Sequence, residues 1–153
     1  NCYNIYFAGW GSNTGQNGGS TQGLEVTPDA IQPNTDGNDF YLGVLKKNAA
    51  SLIYATFFGG TQTDDHVDGG TSRFDQQGVI YQAMCANCSG GAQFPTTPGV
   101  VGPINAALPD GCNLAAVKIS FNLAAASPSL VDSYSTMKLS STPSFRHRKA
   151  RPS

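Results

Sequence analysis

Residues 52–60 read LIYATFFGG, seven residues of which Thr56 alone is plainly polar, closed by two glycines. A strand with one solvated face alternates apolar and polar, because successive side chains leave a sheet on opposite sides. Here Leu52, Tyr54, Thr56 and Phe58 share one face while Ile53, Ala55 and Phe57 share the other, so both faces need cover. The run is too short for a free-standing helix, and its Ile, Tyr, Thr and Phe favour strand. The segment predicts a middle strand with a further layer on each side.

The rest of the chain fits an all-β protein. Among 153 residues, 18 glycines and 9 prolines supply turns more readily than long helices. Strands are expected at 3–10, 40–46, 52–58, 72–75, 79–84 and 115–121, with KKNAAS joining a hairpin over 40–58 and DQQG closing a second after residue 74. Helix is limited to a turn or two near 27–31 or 97–101.

Three segments recur in the same order. NIYFAG at 4–9 is echoed by VIYQAM at 79–84, VTPDAI at 26–31 by TTPGVV at 96–101, and DGNDFYLGVLK at 36–46 by DGCNLAAVK at 110–118. One unit of three or four strands is used twice, over roughly 3–60 and 61–123. Stacked copies of a small antiparallel sheet are the arrangement of a β-propeller, whose blades bury their middle strands on both sides. On this account Tyr54, Phe57, Phe58 and Tyr81 are core residues, and the glycines after residue 58 let the chain turn at the end of a blade.

The order SLIYATFFGG, TSRFDQQGVIYQA and FPTTPG at 94–99 resembles the SBBP-type β-propeller repeat of bacterial secreted proteins, whose pattern runs YSTYLGG, an aspartate, D-x-x-G-N-x-Y, DFPTTPGA and D-x-F-V-x-K. HVDGGTSRFD with CANC and DGCNLAAVK is similar to the version in very large surface proteins of gliding bacteria, beside PKD-like modules and secretion-system sorting domains. The resemblance covers residues 3 to about 123. The loop at 11–23 departs from it as an insertion, and Met84 with CANC replaces the usual glycine-polar turn. It implies about two blades of a propeller, adjacent blades from a longer parent chain as partners, surface glycans or other cell-surface proteins as further partners, and a secreted or cell-surface bacterial location. Two units do not close a ring of roughly 4 to 8 blades. Residues 124–153, rich in Ser and Pro and ending RHRKARPS, fall outside the pattern and predict an irregular basic tail, disordered or non-native.

Charge narrows the function classes. All ten acidic residues lie at or before Asp132, together with Lys46, Lys47, Arg73 and Lys118; Lys138, Arg146, Arg148, Lys149 and Arg151 follow without an acid. A mildly acidic body repels nucleic acid, which is not an expected partner. No run of roughly 18 apolar residues predicts a membrane span. Asn1 opens the sequence without a basic-then-apolar leader, which reads as a mature product or a fragment of something longer.

Cys2, Cys85, Cys88 and Cys112 are disulfide candidates in a chain whose composition suits an oxidising compartment, with the pairing open. Zinc at CANC wants two further ligands at short spacing, and Cys112 stands alone. The DDHVD stretch gives Asp64, Asp65 and Asp68 as candidate ligands for Ca²⁺, set against ordinary turn chemistry that caps strand edges. Trp10 is a candidate sugar-stacking residue, set against packing at a blade edge. No catalytic constellation emerges, so the expected protein is a non-enzymatic structural or interaction module serving adhesion, gliding motility or assembly. The alternative is a carbohydrate-binding or carbohydrate-active propeller, with Ca²⁺ as its only candidate cofactor.

Overall fold

The computed structural model describes residues 3–11, 19–67, 72–88, 90, 93–107, 111–121 and, for the backbone, 129–135. The described residues are all-β, two antiparallel sheets with one 3-10 turn among them at Lys47–Ala49. Among the described residues no helix is long and apolar enough to cross a membrane.

The first sheet has three strands in the order β1 (Ile5–Trp10), β2 (Phe40–Leu45), β3 (Leu52–Phe58). The second is built on β6 (Val79–Cys88). Its one edge carries β7 (Asn113–Ser120) and then β8 (Ser129–Ser135); its other edge carries β4 (Asp64–His66) toward Cys88 and β5 (Arg73–Phe74) toward Val79.

The expected strands are present, but several other expectations change. LIYATFFGG is an edge strand of its sheet, not a middle one; both of its faces are buried as expected, Ala55 and Phe57 on the one, while the opposite face packs into the core shared with the second sheet. Tyr54, Thr56 and Phe58 are buried on that face. Phe57, on the other, packs its ring 5.5 Å from Tyr41, which lies 5.6 Å from Phe7. The free edge is covered by the segment just after Val26. Thr27 N donates to Ala55 O, Phe57 N donates to Gln32 O, and Gln32 N donates to the Thr56 hydroxyl. The turn expected as helix at 27–31 is therefore a strap that satisfies edge amides left open by the sheet; no helix forms at 97–101 either.

DDHVD, expected as a turn, begins with β4. The tail expected from residue 124 contains β8, whose Ser129–Ser135 pairs with β7 from Ser120 back to Ala115. Finally, Tyr81 is 43% exposed rather than core.

The sheets meet through one apolar core. Phe40, Leu42, Val44, Tyr54 and Phe58 of the first pack with Ile80, Met84, Ala115, Val117, Ile119 and Phe121 of the second, and Phe94 joins them. Ring contacts tie the layers: Tyr54 to Phe121 at 5.3 Å, Tyr6 to Phe74 at 5.6 Å, Phe58 edge-on to Phe94 at 5.3 Å. Burying each large ring is worth about 1.5–3 kcal/mol, so this interface dominates stability.

The internal repeat maps strand on strand: β1 with β6, β2 with β7, β3 with β8. Tyr6 pairs with Val44 as Tyr81 pairs with Lys118, Ala8 with Leu42 as Ala83 with Ala116, and Trp10 with Phe40 as Cys85 with Leu114. The sequence echo aligned Lys46 with Lys118; the ladder aligns Val44 with Lys118, a two-residue step that keeps each side chain on its face.

Candidate functional site

Chemistry-bearing side chains gather where β4 meets the far end of β6. Asp64 pairs with Cys88 and His66 with Cys85, so two steps along β4 match three along β6. The extra residue is accommodated at a β-bulge in which Asn87 takes φ 59°. A bulge leaves ladder groups without partners, and Asp65 supplies them. Its Oδ1 accepts from Asn87 N at 2.8 Å; its Oδ2 accepts from Gly60 N at 2.8 Å and from the Thr63 hydroxyl at 3.3 Å.

A second carboxylate closes on this one. A Cβ on Gly59 would stand 2.2 Å from Asp39 Oδ1 and 2.5 Å from Asp65 Oδ2. Gly59 is thus required by close approach of two carboxyl groups, and not, as expected, by a sharp turn. Asp65 is fully buried and Asp39 is 1% exposed. Burial pushes the Asp65 carboxyl up to about 6, with Asp39 adding to the rise and the amides of Asn87 and Gly60 opposing it. Burial pushes Asp39 up as well. The pair holds a proton more readily than an ordinary carboxylate and staples the bulge to the first sheet.

Of the candidate Ca²⁺ ligands, Asp65 already spends both oxygens on protein donors, Asp64 is its buried neighbour on the same short strand, and Asp68 lies outside the described residues. Adjacent strand residues face opposite ways, so the structure does not converge Asp64 and Asp65 on one ion. Trp10 ends β1, 48% exposed, with its ring 6.2 Å from Phe40.

The cysteines resolve differently from any spacing rule. Cys88 is bonded to Cys112 in a disulfide, and Cys2 lies outside the described residues. Cys85 is half-buried, and its Sγ, the Cys88 Sγ and a ring nitrogen of His66 all lie within 4.8 Å of one another. Zinc at CANC wants two further ligands, and the partner strand brings one candidate, His66, beside it. Sequence reasoning missed His66 as a companion of CANC because the pairing of β4 with β6 carries no local signal.

A second candidate surface is the outward face of the second sheet. Arg73, Tyr81, Ala83, Ala116 and Lys118 line a shallow groove of about 440 Å³. Tyr81 donates its hydroxyl to Asp75 at 3.2 Å, and the Lys118 ammonium sits 5.7 Å from the Tyr81 ring centroid. By the register given above, these positions match Tyr6, Ala8, Leu42 and Val44, which the first sheet buries against the second. Protein-family models, curated proteins and solved structures were compared with the chain, and none matches it.

Proposed function

We propose that this chain is a non-enzymatic interaction module: two successive blades of a β-propeller in a secreted or cell-surface bacterial protein, serving adhesion, gliding motility or assembly contacts. The observation that carries the reading is the equivalence of faces. The face that packs sheet one onto sheet two recurs on sheet two as Tyr81, Ala83, Leu114, Ala116 and Lys118, of which Tyr81, Ala83 and Leu114 are exposed and the other two half-buried. Its occupant is a further sheet of the same kind, and in a solution of this chain alone that means a second copy. The complementary surface is the outward face of sheet one, where Ile5 is 44% exposed beside half-buried Phe7. Such contacts are head-to-tail, which suits a ring or a row of blades. The Cys88–Cys112 disulfide supports an oxidising compartment.

Sedimentation of the chain over a range of concentrations tests this. Reversible association, lost in Ala83→Glu and Ala116→Glu with the fold intact by circular dichroism, is expected. A monomer at every concentration, indifferent to charge on that face, refutes the reading.

The exposed Trp10 ring favours the second reading, sugar binding. A glycan array run with and without Ca²⁺ separates the two: binding abolished by Trp10→Ala supports the lectin reading, and silence across the array removes it.

A further inference from the structure

We propose that the β4–β6 corner is a soft-metal site in a second redox state of the protein, with His66, Cys85 and Cys88 holding Zn²⁺ once the Cys88–Cys112 disulfide is reduced. Cys85 and Cys88 are three residues apart, a spacing that in a regular strand sends side chains to opposite faces. The bulge at Asn87, two steps along β4 against three along β6, cancels that alternation. Both sulfurs therefore come to one side, where His66 stands opposite Cys85. The three ligand atoms lie within 4.8 Å of one another. Zinc–sulfur bonds of about 2.3 Å and zinc–nitrogen bonds of about 2.0–2.1 Å fit that cluster after an inward shift of roughly an ångström. Two thiolates and an imidazole select Zn²⁺ over hard cations such as Ca²⁺ and Mg²⁺.

The disulfide and the metal exclude one another, because a sulfur bonded to Cys112 is not a thiolate. The chemistry of conversion balances with a dithiol reductant. Its thiolate attacks the Cys88–Cys112 bond, its second thiol completes the exchange, and the reductant leaves as its own disulfide while both cysteines are released as thiols. Zn²⁺ then displaces the protons of the Cys85 and Cys88 thiols and takes up a ring nitrogen of His66. Cys112, bonded to Cys88 beforehand, is released as a thiol by the same step, and the fourth position of a tetrahedral ion is left to it or to water.

The probe is Zn²⁺ itself, with Co²⁺ as its coloured substitute, on the full chain carrying Cys2→Ser so that this thiol contributes nothing. After reduction by a dithiol and its removal under anaerobic conditions, one equivalent of Zn²⁺ is expected to remain through buffer exchange. Co²⁺ is expected to give a thiolate charge-transfer band with the intense visible bands of four-coordination. The disulfide-bonded protein is expected to do neither. Cys112→Ser, which cannot form the bridge, is expected to bind after mild reduction as the parent chain does or more weakly, and never to require cleavage of a disulfide. His66→Ala is expected to lower affinity roughly tenfold or more, at least the loss seen when a ligand-orienting group is removed. Zn²⁺ is expected to raise the melting temperature of the reduced protein and leave that of the oxidised one unchanged. If the reduced chain unfolds without metal, recovery of its β spectrum on adding Zn²⁺ is the supporting readout. Failure of the reduced chain to retain Zn²⁺ in either folding state, equal retention by the disulfide-bonded form, or indifference to His66→Ala overturns the proposal.

Discussion

Lowering the pH from 7 to 5 should stabilise this protein, against the usual behaviour of carboxylates. The perturbation acts on Asp65, whose carboxyl is raised from the ordinary 3.8 to about 6, chiefly by burial. Between those values the folded chain holds a proton that the unfolded chain has released, so stability falls as pH rises through the window and levels off above it. At pH 5 the folded carboxyl is about ten to one protonated, while the unfolded one is almost wholly ionised. The difference between pH 7 and pH 5 is about 1 kcal/mol, and the full effect below pH 4 approaches about 3 kcal/mol. Asp39, also raised, adds in the same direction. Asp75, held low first by the Val79 amide, opposes only below the ordinary carboxylate range. Urea unfolding followed by tryptophan fluorescence at pH 5, 6 and 7 measures the slope, and a melting temperature higher by roughly 3–5 °C at pH 5 accompanies it. Asp65→Asn is the control: whatever it costs outright, its stability should lose this component of the pH dependence. Parent stability that is flat or rising from pH 5 to 7, or an unchanged slope in Asp65→Asn, refutes the reasoning.

Three further outcomes follow from packing and covalent structure. Gly59→Ala places a methyl 2.2 and 2.5 Å from two buried carboxylate oxygens and should cost roughly 3 kcal/mol in urea unfolding, since either the carboxyls part or the strand shifts. Phe58→Ala empties a site in contact with Phe94 at the join of the two sheets and should cost about 3–5 kcal/mol by the same assay. Cys112→Ser removes a bridge across 24 residues, and the oxidised chain should lose about 3 kcal/mol, read as a shift of the denaturation midpoint without a change of spectrum.

The parts of the fold legible in the sequence are those where burial and periodicity agree. LIYATFF, FYLGVL and VIYQAM carry enough branched and aromatic residues to declare strands, and the ordered echoes anticipate that β1 and β2 are matched by β6 and β7. The failures have a common cause, in that the deciding partner is remote. Asp64–His66 contains poor strand formers and becomes β4 only because β6 offers it an edge. CANC extends β6 because Asp65 satisfies the bulge that would otherwise end it. Serine-rich 129–135 lacks apolar alternation and is recruited by β7. The role of Gly59 is invisible in a run read for turns, since its reason is two carboxyl groups arriving from Asp39 and Asp65. His66 beside CANC needed the same missing pairing, and Tyr81, equivalent to half-buried Tyr6, looks like core until the face that would cover it is seen to be open.

Cys88 joins the question of compartment to the question of chemistry. On the proposed reading the chain meets oxidants outside the cell, where the Cys88–Cys112 bridge persists; in a reducing compartment the same sulfur is released from the bridge, and its neighbours are Cys85 and His66. The metal-loaded state is heavier than the bridged one by the zinc alone, since reduction adds two hydrogens and the ion displaces two protons, so non-denaturing mass spectrometry of protein taken from its natural source distinguishes them in a single measurement. The expected species carries the bridge, recovered as a Cys88–Cys112 peptide pair on digestion without reductant. A zinc-loaded protein with both thiols reduced would overturn the extracytoplasmic reading while leaving the strand equivalence untouched, because the equivalence depends on ladder register and the location depends on sulfur.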